Sequence, residues 1–532
     1  MKKSLLEKLR FDEAEHEFEL LETESGNPGF FGGWSDRETA ENAAAPEPPP
    51  SASVEENEQR LRQEYHVDIN PDILLRRFML GGKVLALTAC INGMADGSQI
   101  NDFILRQGMA PGCMDGAGDA LAQFAVDHVF AQQEAALSND WAEVKKAISE
   151  GRTAVFLEGD AQAVLMDTRG FERRSVGTPQ NEKVIRGPQE GFTENIRTNI
   201  TLLRRIIKTD DFICEFQNAG GKNNVVLVIA YRESVVNPRL LAEVKRKLQD
   251  VDTHMILNDG TLEQLTERYP LSPLPQVLNT ERPDRVAAHI MQGHVAVLCE
   301  GSPSANIMPA TLFSLMATPE DSYMRRPLGS VLRVVRYIGA ALSVLLPGYF
   351  IAIALYHQGM MSTEVISTII ASRQMVFLPL PIEMIFLLWV FQLLREAGIR
   401  VPGSVGHAIG IIGGLILGQA AVAANMVSTV VLIIVALAGM GNFTIPDYST
   451  QIAAEYFRTI LVLLGWAGGL LGLLTGVVLT AAWMASLKSY GVPFLTPVAP
   501  KTYSIRPAIL RGPITQRGRS SDYMNTREGG TK

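Results

Sequence analysis

The sequence is poor in cysteine and lacks the common catalytic and phosphate-binding motifs. Its four cysteines, among 532 residues, form no CxxC pair, and none lies near a histidine at the spacing of a metal site. The patterns GxxxxGK[ST], GxGxxG, GxSxG and HExxH are also missing. We therefore expect reduced structural thiols, no metal, no cofactor and no enzyme of those classes.

The first 55 residues have no apolar core of the kind that a secretory signal requires. They hold acidic runs followed by GNPGFFGGW and AAAPEPPP, and this composition cannot bury enough apolar surface to offset chain entropy. We predict a disordered acidic and proline-rich tail over 1–55, either simply solvated or bound by a partner. Without an export signal, the front half is expected to stay in the cytoplasm.

Long apolar runs are missing from residues 56–330, where charges occur every few positions. Short apolar runs alternate there with helical patterns, which is typical of a mixed or parallel sheet covered by helices. We predict two cytoplasmic α/β subdomains, 56–185 and 186–330. The predicted helices are 54–65, 99–108, 116–136, 141–150, 195–208, 239–250 and 261–268, and the predicted strands are 84–91, 153–157, 163–166, 225–231, 254–257 and 294–299. Residues 73–79 form a further predicted element whose type is left open.

The last third of the chain is apolar. Residues 331–487 form a predicted transmembrane helical domain, and a basic cytoplasmic tail, 488–532, follows it. Crossing a bilayer takes about 20 apolar residues. Five apolar stretches can be drawn, at 334–356, 375–394, 405–424, 426–443 and 459–486.

Arginine placement sets the expected orientation, because basic residues near the ends of spans stay in the cytoplasm. Arg325 precedes the first stretch and Arg395 follows the second, so both positions are expected inside. Segments 357–374 and 442–458 are expected outside. Both chain ends are expected inside, which requires an even number of crossings. We predict four full crossings plus one re-entrant or broken element, which is either 405–424 or 426–443.

Glycines recur at four-residue spacing in two of these stretches. Small residues at this period let helix backbones approach closely in lipid, either within one chain or between subunits. The glycines predicted to pack helices are Gly406, Gly410, Gly414, Gly418, Gly468, Gly472 and Gly476.

Polar side chains inside the apolar stretches mark the candidate functional positions. Glu383 follows Pro379 and Pro381, and an ionised carboxylate there is costly unless it faces a bundle interior or a hydrated cavity. Glu383 could instead lie near the membrane interface and reach water. The pore or buried-polar candidates are Glu383, Gln392, Gln419, Asn425 and Ser428.

Five long motifs occur in order along residues 65–500. They are RGPQEGFTENIRTNITLLRR at 186–205, TERPDRVA at 280–287, PGYFIAIALYH at 347–357, LLREAGIRVPGSVGHAIGIIGGLILGQAAVAA at 393–424 and GVPFLTP at 491–497. Together they resemble the A-subunit family of GerA-type spore germinant receptors. The chain departs from that pattern at Gln392, where such proteins often have a second acidic residue.

The resemblance implies a receptor subunit in the inner membrane of a bacterial endospore. It implies a homo-oligomeric ring that conducts cations, a transporter-like B-subunit that senses the nutrient and a lipoprotein C-subunit. Membrane lipid is an expected partner and nucleic acid is not.

The first motif has two interpretations. Arg186, Glu190, Glu194 and Arg197 could form pairs between subunits and couple the soluble and membrane parts. They could equally form a solvated helix face, with Thr193 as the N-cap.

The expected function is therefore a membrane subunit of a nutrient germinant receptor that triggers germination as an oligomeric, ligand-gated cation channel. A non-conducting scaffold for partner subunits is the main alternative, and a transporter or flippase is the third.

Overall fold

The structure is a computed structural model that describes residues 47–118, 120–170, 177–179, 181–220, 223–251, 255–400, 418–502, 508–512 and 522–526. These residues fall into two compact units. The two-sheet unit comprises the described parts of Met1–Glu267, Asn279–Pro309 and Gly518–Lys532. The helical unit comprises Arg268–Leu278 and the described parts of Ala310–Arg517.

Most of the predicted tail, 1–46, lies outside the described residues. Order begins before residue 55, because Glu47 lies 2.6 Å from the Lys145 ammonium and the Ser51 N–H donates to the Asn57 side chain at 2.8 Å. These contacts fix the chain ahead of the first helix.

The two-sheet unit contains two five-stranded sheets. The first half runs α1 (Val54–Glu64), β1 (Ile73–Leu80), β2 (Val84–Ile91), α2 (97–108), α3 (Leu121–His128), β3 (Ala135–Ser138), α4 (Trp141–Ser149), β4 (Thr153–Leu157) and β5 (Ala163–Met166). The second half runs α5 (Ile196–Ile206), β6 (Phe212–Ala219), β7 (Val225–Arg232), α6 (Pro238–Gln249), α7 (Asp259–Thr266), β8 (Leu278–Thr280), α8 (Pro283–Ile290), β9 (Val295–Cys299) and β10 (Ala305–Met308).

The two halves repeat one architecture. Their strand orders, β1-β2-β4-β5-β3 and β6-β7-β9-β10-β8, are equivalent, and helices fall at the same points of each half. The closing hairpins share a register, with Thr153 opposite Met166 and Val295 opposite Met308. The hairpin sequences 153–166 and 295–308 share the residues AV at the start, EG at the turn, and Ala and Met in the returning strand. This internal repeat was not anticipated from the sequence.

The prediction of mixed or parallel sheets is wrong for the first sheet and for the β6–β7, β7–β9 and β9–β10 pairs, all of which are antiparallel. Strands that follow each other directly in the sequence without a helix between them are joined by tight turns. One such turn is at Gly81 and Gly82, whose positive φ angles of 61° and 72° suit a hairpin. Helices therefore connect strands that are not neighbours, which removes the reason to expect parallel pairing.

Several predicted elements differ from the observed ones. The helix predicted over 116–136 is confined to α3, because residues 135–138 pair with β5 as an edge strand. Residues 255–257 form no strand, and His254 lies outside the described residues. The edge strands β3, β6 and β8 were missed, as was β10. Short or partly polar strands give a weak periodic signal, and pairing with neighbours decides their structure.

A buried ion pair joins the two halves. Arg204 of α5 donates from Nε to Asp72 at 2.6 Å and from Nη2 to the second carboxylate oxygen at 3.0 Å. The Asn70 side-chain oxygen accepts from the Cys214 N–H at 3.1 Å and from Arg204 at 3.2 Å. The cluster ties the chain just before β1 to α5 and β6, so the halves are held by a bidentate, hydrogen-bonded charge pair.

We expect Asp72→Ala to lower the free energy of unfolding of the full-length protein by about 3–5 kcal/mol, because it leaves the Arg204 guanidinium buried without a counter-charge. Denaturation followed by tryptophan fluorescence measures the loss. Asp68→Ala, which removes an exposed acid nearby that lies 3.5 Å from Arg62, is the matched control and should change stability by less than about 0.5 kcal/mol. Equal effects of the two variants would contradict a joining role for Asp72.

The helical unit is built on long apolar helices. Its elements are α9 (Leu312–Leu315), α10 (Glu320–Tyr323), α11 (Arg326–Tyr356), α12 (Thr363–Arg373), α13 (Leu380–Arg400), helical residues 418–423, α14 (Thr429–Asn442), α15 (Tyr448–Ser486), and a small hairpin of β11 (Lys488–Ser489) and β12 (Val492–Pro493). By length and composition α11 and α15 could each cross a membrane. The short helix α12 was not predicted.

Helix α15 reverses direction at Gly468 and Gly469. Both residues have non-helical dihedrals, and the φ of Gly469 is +58°. The Phe457 and Trp483 rings lie 5.6 Å apart, and a Cβ on Gly476 would lie 2.7 Å from the Leu461 side chain. In a continuous helix residues 457 and 483 would be about 39 Å apart. The element is therefore a helical hairpin with arms 448–467 and 470–486, not the single span predicted over 459–486.

We call the end of the bundle at Arg326 the near end and the end at Tyr356 the far end. The Tyr356 hydroxyl donates to the Trp466 carbonyl at the hairpin turn, so the reversal lies at the far end. Helix α14 runs back from Val427, which packs with Ile351, to residue 444, whose side chain bonds to the Arg336 carbonyl. Segment 442–458 was predicted outside, opposite the near end, and that prediction is wrong: its loop lies at the near end.

We expect single cysteines at Phe443 and Arg325 to react with an impermeant maleimide from the same side of the membrane, in a protein whose native cysteines are replaced. Both residues are exposed and lie toward the near end. A cysteine at Met360, which is exposed beyond Tyr356, should react from the opposite side. Labelling of positions 443 and 360 from one side would contradict the observed path of the chain.

Candidate functional site: polar clusters among the apolar helices

Glu383 and Ser428, two of the five pore or buried-polar candidates, meet at the far end. Glu383 lies in the first turn of α13 and is 0% exposed, and Ser428 is the N-cap of α14. The Glu383 Oε1 atom accepts from the Ser428 N–H at 2.5 Å and from its hydroxyl at 2.7 Å. Arg373, at the end of α12, places Nε 3.3 Å from Oε2. We call Arg373, Glu383 and Ser428 the far-end cluster.

This arrangement explains how a carboxylate can be buried among apolar helices. The N-terminus of α14 presents unpaired N–H groups and a partial positive charge, which favour an anion. The Arg373 guanidinium supplies a full counter-charge and also donates to the Leu378 carbonyl at 3.0 Å. Chemically, the cluster pairs a buried carboxylate with a guanidinium and with two donors of Ser428, so a metal cation could reach Glu383 only if both Ser428 and Arg373 moved away.

The other three candidates lie apart from this cluster. Gln392 is partly buried, and its Oε1 atom accepts no hydrogen bond from the described residues. Gln419 and Asn425 are exposed, and the φ of Asn425 is +55°, a left-handed conformation that asparagine tolerates where a helix ends. Asn425 thus has a backbone role at the end of the helical residues 418–423.

A second cluster lies deeper in the bundle and was missed as a site by the sequence reasoning. The Glu455 carboxylate lies 2.7 Å from Arg395 Nη1 and accepts from Arg395 Nη2 at 3.1 Å and from the Asn442 amide at 2.8 Å. The Asn442 oxygen accepts from the Ser343 hydroxyl at 3.3 Å. One carboxylate thus links α11, α13, α14 and α15. We call these four residues, together with the buried Arg458, the central cluster.

The sequence does contain charged residues at the positions of the central cluster, but they were interpreted only as markers of membrane orientation. Arg395, Glu455 and Arg458 are charges flanking or entering apolar stretches, and they were assigned to opposite sides of the membrane. Because α15 is a hairpin that starts toward the near end, Glu455 meets Arg395 instead. Fold topology, not spacing in the sequence, creates this cluster.

Asp321 anchors α11 toward the near end. Its carboxylate accepts from Arg333 at 3.0 Å and from Arg336 at 3.0 and 3.1 Å. Burial alone would raise the pKa of Asp321, but the hydrogen bonds and charges of Arg336 and Arg333 outweigh it and hold the pKa below its usual value. The arginines predicted to mark the cytoplasmic end therefore also fix the short helix α10 to α11.

Close helix contacts involve several of the predicted glycines. A Cβ on Gly476 would meet Leu461 and Leu464, and Gly472 lies against the Leu464 carbonyl, so both residues pack the hairpin arms together. A Cβ on Gly468 would meet no described residue within 4 Å, and Gly468 forms the turn. A Cβ on Gly418 would lie 3.9 Å from Leu432. Gly406, Gly410 and Gly414 lie outside the described residues.

The first two motifs meet in the two-sheet unit. Arg282 donates to the Pro188 carbonyl at 3.0 Å, and Arg285 lies 2.5 Å from Glu182, so the second motif holds the strap 181–191. Glu182 also accepts from the Thr280 hydroxyl. These buried arginines position a segment that the sequence singled out but could not place.

The charged residues of the first motif face mainly outward. Arg186, Glu194 and Arg197 are exposed, and Glu190 lies 3.2 Å from Arg205. The neighbouring Ile185 is 89% exposed. The N-cap predicted at Thr193 is wrong: Asn195 caps α5 by accepting from the Arg197 and Thr198 N–H groups, because it directly precedes the first helical residue.

Metal binding finds no support in the described part of the chain. Among those residues no group of three or more His, Cys, Asp or Glu side chains could hold a metal ion.

Comparison with known proteins decides the family. Residues 59–522 match the family described as Bacillus/Clostridium GerA spore germination protein. The chain belongs to this GerA family. It is 32% identical over 462 residues to spore germination protein GerLA of Bacillus cereus, covering 86% of this chain and 93% of that protein. The family resemblance drawn from the five motifs is confirmed.

One further relative is a membrane protein, and another is a solved structure of an N-terminal domain. The uncharacterized membrane protein YfkQ of Bacillus subtilis (strain 168) is 31% identical over 445 residues, covering 83% of this chain and 86% of that protein. The crystal structure of the N-terminal domain of the A subunit of the Bacillus megaterium spore germinant receptor GerK3 is 24% identical and covers 51% of this chain and 99% of that one, with a TM-score of 0.40. That structural likeness is too weak to bear on the fold described above.

We expect Asp321→Asn to lower the free energy of unfolding of the detergent-solubilised protein at pH 7 by about 3–5 kcal/mol, because two arginines lose their counter-charge. A carboxyl whose pKa is lower in the folded than in the unfolded protein stabilises the fold fully when the pH is above its unfolded-state pKa, near 3.9. This stabilisation is lost as the pH falls through the folded-state pKa. The difference in unfolding free energy between wild type and Asp321→Asn should therefore become smaller below about pH 4. Thermal unfolding across pH measures it.

Glu364→Gln, at an exposed acid in α12, is the control for Asp321→Asn and should leave stability within about 0.5 kcal/mol of wild type. A stability gap for Asp321→Asn that does not change with pH would contradict the assigned charge pairing.

Proposed function

We propose that this chain is a membrane subunit of a nutrient germinant receptor and acts in endospore germination. Its membership of a spore germination family and the name of its relative GerLA support this role. We further propose the inner membrane of the endospore as its location, with both termini in the cytoplasm.

Exposed apolar side chains on the long helices support the membrane location. Trp389 of α13 is 69% exposed, and Leu471 of the second hairpin arm is 76% exposed. A soluble protein rarely leaves so many large apolar groups in water, whereas lipid solvates them. The first arm, with 20 residues, would be about 30 Å long, which matches the hydrocarbon thickness of a bilayer.

The described helices make five passes between the two ends, against the four full crossings expected from the sequence. α11 runs from the near end to the far end, α13 and α14 both run back, and the arms of α15 add one pass in each direction. Residues 401–417, between α13 and α14, lie outside the described residues.

The single observation that carries a channel function is the far-end cluster. Glu383 is a buried carboxylate held by hydrogen bonds from Ser428 that a small movement of α14 would break. In a ring of several copies, one carboxylate per chain would form a ring of negative charge that attracts cations, once Arg373 as well as Ser428 has moved away from Glu383. We propose that the described arrangement is closed and that nutrient binding to a partner subunit releases Glu383 from both Ser428 and Arg373.

The partners that fit this role are further copies of the chain, a transporter-like B-subunit and a lipoprotein C-subunit. The exposed charges of the first motif, Arg186, Glu194 and Arg197, together with the exposed Ile185 beside them, would then contact a neighbouring subunit and couple the soluble and membrane parts.

A non-conducting scaffold is the second candidate, and one observation favours it. Glu383 and Glu455, the two acids buried among the long helices, are both paired with arginines in the described structure. Pairing of this kind serves stability alone if the pairs never open.

Glu383→Gln separates the two candidates. It removes the charge while keeping the shape, so we expect nutrient-triggered potassium release from variant spores to slow by about tenfold or more. Ser428→Ala removes the hydroxyl donor to Glu383 together with the N-cap of α14, and should release potassium more readily, because it loosens the closed state. Gln392→Ala and Asn425→Leu test the other candidates, and Glu364→Gln is the exposed-charge control.

Protein abundance must be matched to wild type in each spore preparation. Potassium release at the wild-type rate in Glu383→Gln spores with normal protein abundance would favour the scaffold over the channel. Loss of germination together with loss of the partner subunits from the membrane would also favour the scaffold.

A further inference from the structure

Arg458 is a buried cation without a hydrogen-bonding partner for two of its nitrogens. It lies on the first arm of α15, and the whole residue is 3% exposed. Its Nε and Nη1 atoms are buried and donate to none of the residues that the structure describes. A guanidinium has five N–H donors and keeps its proton in proteins, so it cannot become neutral to relieve the cost of burial.

The central cluster carries a net positive charge. It contains Arg395 and Arg458 but a single acid, Glu455, whose oxygens are taken by Arg395 and by the Asn442 amide. Burying an uncompensated charge among apolar helices is strongly unfavourable. A counter-charge is therefore required at Arg458.

The rest of the helical unit offers no acid for this purpose. Its other acidic residues are Glu320, Asp321, Glu364, Glu383, Glu396 and Asp447. Asp321 and Glu383 pair with arginines, Asp447 caps α15, Glu320 and Glu396 each have an interaction of their own, and Glu364 is exposed. Residues 401–417, 503–507 and 513–517 contain no Asp or Glu.

We propose that the central cluster binds a small anion, of which chloride is the simplest, at the Nε and Nη1 atoms of Arg458. The near-complete burial of Arg458 excludes a lipid headgroup and favours a small inorganic ion. The bound anion neutralises the cluster and lets the first arm of α15 pack against α13 and α14. This inference is independent of whether the chain conducts cations.

The test is thermal unfolding of the purified full-length protein in detergent, with sodium chloride replacing sodium gluconate at constant ionic strength. An ion that binds the folded state raises Tm with concentration, and we expect a rise of about 2–4 °C between 5 and 300 mM chloride. Sodium phosphate in a parallel series distinguishes a halide site from a small oxyanion site, and either result supports an anion at Arg458.

Arg458→Gln and Arg458→Met should abolish the anion dependence while keeping or raising Tm in gluconate, because they remove the uncompensated charge. Arg325→Gln makes the same charge change at an exposed arginine of the same unit and should retain the wild-type response. The proposal would be overturned if the wild-type Tm did not change with anion concentration, or if wild type and Arg458→Gln responded equally. If one of the two Arg458 variants does not fold, the other still allows the comparison.

Discussion

Charges buried among apolar helices must be compensated, and the helical unit is organised around that requirement. Glu383 is held by Arg373 and the N-terminus of α14, and Glu455 is held by Arg395 and Asn442. Each carboxylate lies where separate helices meet, so one charge fixes several helices at once. Moving those helices apart would break a buried charge pair, which is unfavourable unless another partner takes its place.

The reversal at Gly468 and Gly469 makes this arrangement possible. It converts an element of 39 residues, about 58 Å if straight, into two arms that match a bilayer. Gly469 adopts a φ that other residues resist, and Tyr356 caps the carbonyl freed at the turn. The first arm then presents Glu455 and Arg458 to α13 and α14, so a backbone feature determines which charges meet.

The two-sheet unit uses the same principle of compensating each buried charge. Its halves repeat one topology, and the Arg204–Asp72 pair between them is bidentate and fully buried. Arg282 and Arg285 hold the strap of the first motif in a similar way. Motifs that stand out in the sequence thus prove to be places where arginines fix irregular backbone, while the charges left outside, such as Arg186, remain available to a partner.

The sequence by itself determined the family, the apolar character of the last third, most helices and central strands, and Glu383 as a candidate buried acid, because these depend on local pattern and composition. Only the tertiary structure decided the antiparallel sheets, the repeat, the hairpin in α15 and the meeting of Arg395 with Glu455. Those features depend on contacts between distant residues, and periodicity within one segment carries no information about which segment will pack against it.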